Sequence, residues 1–162
     1  MTKENLLKDK KILIVDDEPD ILMTLEDLLS MCDTVKAASY NEAKDLLEMQ
    51  DFDIAILDIM GISGYDLLEI ATEKKIIAVM LTAYALTPGD VAKSYKKGAA
   101  YYIPKEEMVN ITTFLEDILE AKAKGRSTWG RWFERLASFC EKNFGPDFQK
   151  NDKEFWEKLI FH

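Results

Sequence analysis

Five polar side chains stand where apolar runs stop. ILIV, residues 12–15, ends in Asp16 and Asp17; FDIAIL, residues 52–57, ends in Asp58; IIAVML, residues 76–81, ends in Thr82; and AAYYIP, residues 99–104, is followed by Lys105. Two adjacent ionised acids such as Asp16 and Asp17 repel, by roughly 4 kcal/mol at about 4 Å with an effective dielectric near 20. A cation is the natural offset. Asp16, Asp17 and Asp58 offer hard oxygen ligands, and Mg²⁺ prefers oxygen, keeps several waters and is usually held by one or two carboxylates plus a phosphate. Lys105 adds a second, mobile positive charge, and the Thr82 hydroxyl can donate to an incoming oxyanion. A carboxylate flanked by a divalent cation, an ammonium and a hydroxyl is placed to attack phosphorus and form an aspartyl phosphate. Phosphoryl transfer asks chiefly for positioning and charge neutralisation, and these are the parts present.

The elements that must position these groups alternate along the chain. Continuously apolar strands are expected at 11–16, 52–59, 76–81 and 99–104, with a brief one at 34–38. Pro19 opens a helix carrying Ile21, Leu22, Leu25, Leu28, Leu29 and Cys32 at helical spacing. Helices are also expected at 41–49, after the Gly61–Gly64 turn at 65–71, from Pro88 through Tyr95, and at 108–123. Strands buried on both faces, alternating with amphipathic helices, point to a parallel sheet covered on both sides. In such sheets, sites form beyond the carboxyl ends of strands, where the strand order reverses. All five polar groups then fall on one edge of one sheet.

ILIVDDEP, AILDIM, LTA and GAAYYIPK, in that order on a five-fold βα pattern, resemble the receiver domain of two-component response regulators over roughly residues 10–121. The resemblance implies a flavodoxin-like, doubly wound five-stranded parallel sheet of order 2-1-3-4-5 over residues 1–123, with 124–162 left as a helical C-terminal extension lacking a recognisable effector. It implies that Asp58 accepts a phosphoryl group from a histidine kinase or a histidine phosphotransfer protein. Asp17 and Asp58 would ligate Mg²⁺ directly, Asp16 through water, and Met60 through its backbone carbonyl. Thr82 and Lys105 would hold the phosphoryl oxygens, with the N–H of Ala83 beside them. Tyr102 matches the aromatic residue that turns inward as Thr82 shifts, and the surface of the fourth helix, fifth strand and fifth helix would change with it. Met60 and Tyr84 match positions that tune dephosphorylation. The chain departs from the family in two places. DIMGISG is shorter than the usual DxMMPxMxG and lacks its proline, and Lys105 is followed by Glu106 where the family usually has a proline, often with a cis bond.

Composition bounds the alternatives. With 162 residues, 48% hydrophobic and 31% charged, the chain suits one ordinary domain and a small extension. No apolar run approaches the ~20 residues of a membrane span, and MTKENLLKDKK lacks a signal peptide's apolar core. Cys32 and Cys140 are too far apart for a disulfide framework or a metal motif, and reduced thiols in a cytoplasmic protein are expected. Residues 1–121 carry 24 acidic and 12 basic side chains against 6 and 9 in residues 122–162, so direct DNA binding is not expected. A haloacid-dehalogenase-like phosphatase would need an acid two residues after its nucleophile, and position 60 is methionine. The chain is expected to catalyse only its own phosphotransfer and slow dephosphorylation, not to be an enzyme in the wider sense. His162, the only histidine, reads as a tail residue rather than a phosphodonor.

The tail holds 9 of the 17 aromatic residues. Trp129, Trp132, Phe133, Leu136, Ala137 and Cys140 form one apolar helical stripe, ended by Gly145 and Pro146. Asn151 and Glu154 form a capping box before a second stripe of Phe155, Trp156 and Leu159. Such groups do not stay solvated in a disordered linker. They pack on the main domain, the favoured expectation, or make an interface with a second copy or another protein. The leading functional expectation is a stand-alone phosphorylation-controlled interaction module acting on an unknown downstream protein. The alternative is a phosphorylation-independent adaptor or homodimer scaffold working through the C-terminal helices.

Overall fold

The computed structural model describes residues 6–59, 63–83, 88–145 and 153–161. Met60, Gly61, Tyr84, Pro146, Asn151 and His162 lie outside them. Five strands, β1 Lys11–Val15, β2 Asp33–Ala37, β3 Ile54–Asp58, β4 Ile77–Thr82 and β5 Tyr101–Pro104, form one parallel sheet of order β2-β1-β3-β4-β5. Helices α1 Pro19–Leu28, α2 Tyr40–Met49, α3 Gly64–Glu73, α4 Pro88–Lys96 and α5 Ile111–Ala123 connect and cover it. This is the flavodoxin-like, doubly wound arrangement.

β3, with both neighbours in place, is buried at every residue, whereas β2 at the edge buries only Ala37. The difference explains why the central strands read as unbroken apolar runs and β2 does not. Several elements are shorter than their sequence pattern suggests. β3 starts at Ile54 rather than 52. β5 starts at Tyr101 rather than 99, because the N–H of Ala99 is spent on the carbonyl of Ser94 where the chain leaves α4 through Gly98. The helix expected at 108–123 is divided. Lys105–Asn110 is a 3₁₀ helix with no buried residue, and α5 begins at Ile111, the first side chain of this stretch to enter the core. Among the described residues no peptide bond is cis, that between Lys105 and Glu106 included.

The C-terminal extension packs on this domain. A turn through Gly125, at φ +66°, leads to Ser127, whose hydroxyl accepts from the N–H of Trp129 and starts α6, Thr128–Phe144. Trp129, Trp132, Leu136 and Cys140 of the expected stripe are buried and join the single hydrophobic core; Phe133 and Ala137 are half-buried. Burial pushes the Cys140 thiol up to about 12. The second helix, α7 Lys153–Phe161, buries Phe155, Trp156 and Leu159. Tyr95 of α4 meets Trp129 and Phe155 edge-on at 5.7 and 5.8 Å between ring centroids.

α6 also completes the edge of the sheet. β5 pairs on one side with β4, leaving carbonyls on its other side and on the approach to it without a neighbouring strand. Three side-chain donors meet them: Thr128 Oγ1 to Ala100 O at 2.6 Å, Trp129 Nε1 to Ala99 O at 2.8 Å, and Trp132 Nε1 to Tyr102 O at 2.6 Å. Arg135 closes the contact with a forked pair to the buried Asp117 of α5, at 2.9 and 3.3 Å. Glu134, Ser138 and Glu141 face solvent. Because its apolar stripe is used within the chain and its outer side is polar, the scaffold alternative acting through these helices is not favoured.

Candidate functional site

Register brings the strand-end groups together. Val15 of β1 lies opposite Leu57 of β3, so Asp16, one residue beyond β1, comes alongside Asp58, the last residue of β3. Asp58 is level with Leu81, and Thr82 with Pro104, so Lys105 leaves β5 at the same edge. β1 sits between β2 and β3, and the chain crosses the sheet in opposite directions from it, so this edge is the switch point where α/β sheets form sites.

Asp16, Asp58 and Thr82 are buried, and Asp17 is exposed. Asp16 does two things. Its Oδ1 accepts from the backbone N–H of Glu18 at 2.9 Å, which shapes the turn into α1, and its Oδ2 lies 2.9 Å from Lys105 Nζ. The same ammonium stands 3.6 Å from Asp58 Oδ1 and 3.2 Å from Glu18 Oε1. Burial by itself would lower the Lys105 pKa; its hydrogen bonds to Asp16 and Glu18 and the charges of Asp16 and Asp58 outweigh that and raise it. One monocation thus serves three carboxylates. Glu18 was not singled out from the sequence. Its signal was being the third acid of the run after β1, which also reads as an ordinary helix-start acid.

The carboxylates of Asp16, Asp17 and Glu18 present oxygens within 4.8 Å of one another. Hard oxygen donors beside a buried carboxylate that draws in a lysine ammonium suit a divalent cation such as Mg²⁺. The expected Met60 carbonyl ligand falls outside the described residues.

Tyr102 on β5 is buried, and Thr82, Asp90 and Tyr65 are among the groups its phenol feels. Desolvation raises its pKa most, the Asp90 charge and Tyr65 add to that, and the neighbouring Thr82 hydroxyl lowers it. The ring therefore sits inward, on the site side of β5.

Gly64 fixes the segment after Asp58. A Cβ built there would overlap the Asp58 carbonyl oxygen, so α3 starts in close contact with the backbone of Asp58. Gly64→Ala is expected to cost about 2–3 kcal/mol by overpacking. A urea midpoint that falls with an unchanged m-value checks this.

The family profile described as "Response regulator receiver domain" matches residues 12–116. "Probable transcriptional regulator ycf27" of Cyanophora paradoxa is 35% identical over 122 residues, covering 67% of this chain and 49% of that protein. "Response regulator protein PilR" of Pseudomonas aeruginosa is 34% identical over 102 residues, covering 59% of this chain and 23% of that protein. The chain thus spans about half the length or less of these curated relatives. Among solved structures, a CheY-like response regulator receiver domain protein from Methanospirillum hungatei superposes with a TM-score of 0.65 at 26% identity, over 73% of this chain and 99% of that one.

Proposed function

Because the chain belongs to the response regulator receiver domain family, we propose that it takes a phosphoryl group on Asp58 and thereby switches an interaction surface within a two-component relay. The observation that carries this reading is the Lys105 ammonium, 3.6 Å from Asp58 and 2.9 Å from Asp16 at the switch-point edge. The donor is a histidine kinase or a histidine phosphotransfer protein, and an unknown downstream protein reads the result.

An oxygen of Asp58 attacks phosphorus. An O–P bond forms, the bond from phosphorus to the donor imidazole breaks, and the imidazole nitrogen keeps the electron pair. Asp17 and Asp58, with Asp16 through water, would hold Mg²⁺; when bound, it neutralises charge on the phosphoryl oxygens. Lys105 transfers part of its ion pairing from Asp16 and Glu18 to the new phosphoryl group, which brings about −1.5 to −2 charges and three acceptor oxygens. The Thr82 hydroxyl turns to donate to one of these oxygens, and Tyr102, already inward beside it, is held in that position. The phosphoryl group biases a two-state element by binding its two states unequally. The chain turns over nothing beyond its own phosphorylation and slow dephosphorylation. Among the described residues no helix is long and apolar enough to cross a membrane; the site of action in this reading is the cytoplasm, where the phosphodonor histidine is presented.

The test is intact mass after incubation with Mg²⁺ and a small phosphodonor such as acetyl phosphate. The wild type is expected to gain one phosphoryl group, and none when Mg²⁺ is chelated before the donor is added, and Asp58→Asn is expected to gain none. An unmodified, folded wild type in Mg²⁺ would sink the reading.

A further inference from the structure

The extension touches the strand that carries the switch. Trp132 donates to the backbone carbonyl of Tyr102, three residues before Lys105 on the same strand end. Its ring is fully buried and lies 5.2 Å from that of Trp129, which in turn meets Tyr95 of α4. On the α5 side, Tyr101 packs on Phe114 at 5.4 Å, and Arg135 holds Asp117. The space flanking β5 between α4 and α5 is therefore filled by the chain's own tail. Tyr102 is itself buried and lies inward beside Thr82.

We propose that Trp132 is a positioning residue for the phosphoryl switch: by bonding the Tyr102 carbonyl and filling the space that flanks β5, the docked extension holds β5 in the arrangement that phosphorylation of Asp58 favours. This rests on the proposed role of Asp58. It adds that docking of α6 and occupation of the phosphoryl site reinforce each other, because both select the inward Tyr102. Coupling of this kind is reciprocal, so each event strengthens the other by the same factor. A tail that only thickened the hydrophobic layer would be indifferent to the state of Asp58. A tail that phosphorylation releases would be coupled with the opposite sign.

The experiment uses the full chain with Mg²⁺ and beryllofluoride, which loads an aspartate as a phosphoryl mimic, and follows amide hydrogen exchange across residues 128–140. Loading is expected to slow exchange there about five-fold or more, a modest coupling. Trp132→Phe keeps an aromatic ring and removes the N–H; it is expected to take phosphate from acetyl phosphate about five-fold more slowly than the wild type at equal folded fraction. Loading of the wild type with exchange in α6 unchanged or faster overturns the inference and leaves the proposed function standing. A wild type that accepts neither phosphate nor beryllofluoride overturns both. The wild-type exchange measurement decides the matter even where Trp132→Phe folds poorly.

Discussion

Lys105→Met is expected to unfold at lower denaturant than the wild type when no divalent cation is present, and to regain much of the loss when Mg²⁺ is added. The Lys105 side chain is only 10% exposed, and its ammonium lies within 3.6 Å of oxygens on Asp16, Glu18 and Asp58. Removing one partner of a buried ion pair costs about 3–5 kcal/mol, because the remaining charge stays buried. Here Asp16 is fully buried and Asp58 nearly so, which places the expected loss in that range. Mg²⁺ bound at these carboxylates in the folded state alone would stabilise it in proportion to the logarithm of its concentration over its dissociation constant. It should therefore bind the variant more tightly, since no ammonium competes for the same carboxylates. Phosphorylation behaves differently. An ammonium aimed at developing negative charge acts in the transition state, and loss of one such donor typically slows reaction by about 10²–10³. Uptake by Lys105→Met from acetyl phosphate should fall by about a hundred-fold and stay low in Mg²⁺. The pH dependence separates the two roles. The Lys105 pKa is raised, so its stabilising contribution is complete below its unfolded value near 10.5 and is lost as pH climbs through the raised one. The stability gap between wild type and variant should hence be flat at neutral pH and narrow only in strong alkali. A variant as stable as the wild type without Mg²⁺ would show that the three acids do not depend on this ammonium.

Much of this site could be read from the chain because its two requirements leave marks of different kinds. Burial on both faces of a central strand forces unbroken apolar runs, and the chemistry forces acids, a hydroxyl and a lysine at their ends. Asp16, Asp58, Thr82 and Lys105 each interrupt or follow such a run, and parallel register does the rest, through Val15 opposite Leu57 and Thr82 opposite Pro104. Glu18 escaped notice because an exposed acid at a helix start has an ordinary explanation in the helix dipole. The 3₁₀ segment Lys105–Asn110 escaped because Met108 continues the apolar spacing of α5 although the core begins only at Ile111. The stripe of α6 was plain, but its seat was not. Its acceptors are the backbone carbonyls of Ala99, Ala100 and Tyr102, and a carbonyl is the same in every residue. Asp117 shows the same limit: a helical acid looks solvated until Arg135 is known to lie across it.

Trp132→Ala tests how far the extension is part of the domain. The wild-type ring is fully buried, and emptying such a site costs about 3–5 kcal/mol. Loss of the indole N–H also strips the Tyr102 carbonyl of its donor, at about 1–3 kcal/mol where water cannot replace it. These effects overlap and do not simply add, but even the smaller is a large share of the 5–15 kcal/mol that holds a typical domain together. All three tryptophans, Trp129, Trp132 and Trp156, lie in the extension, so their fluorescence reports it selectively, while far-ultraviolet circular dichroism reports the whole chain. In the wild type the two signals should change together on urea titration, since one hydrophobic core includes both parts. In Trp132→Ala the fluorescence change should come first. The polar contacts that remain are those of Trp129 and Thr128 and the pair of a partly exposed Arg135 with the buried Asp117, whereas β1, β3 and β4 keep their neighbours without any help from α6. The helical and sheet signal of the receiver should persist to a higher urea concentration. Coincident transitions in the variant would mean instead that closure of the β5 edge by α6 is required for the whole sheet to fold, and that the extension is as much a structural member of the domain as any of its five connecting helices.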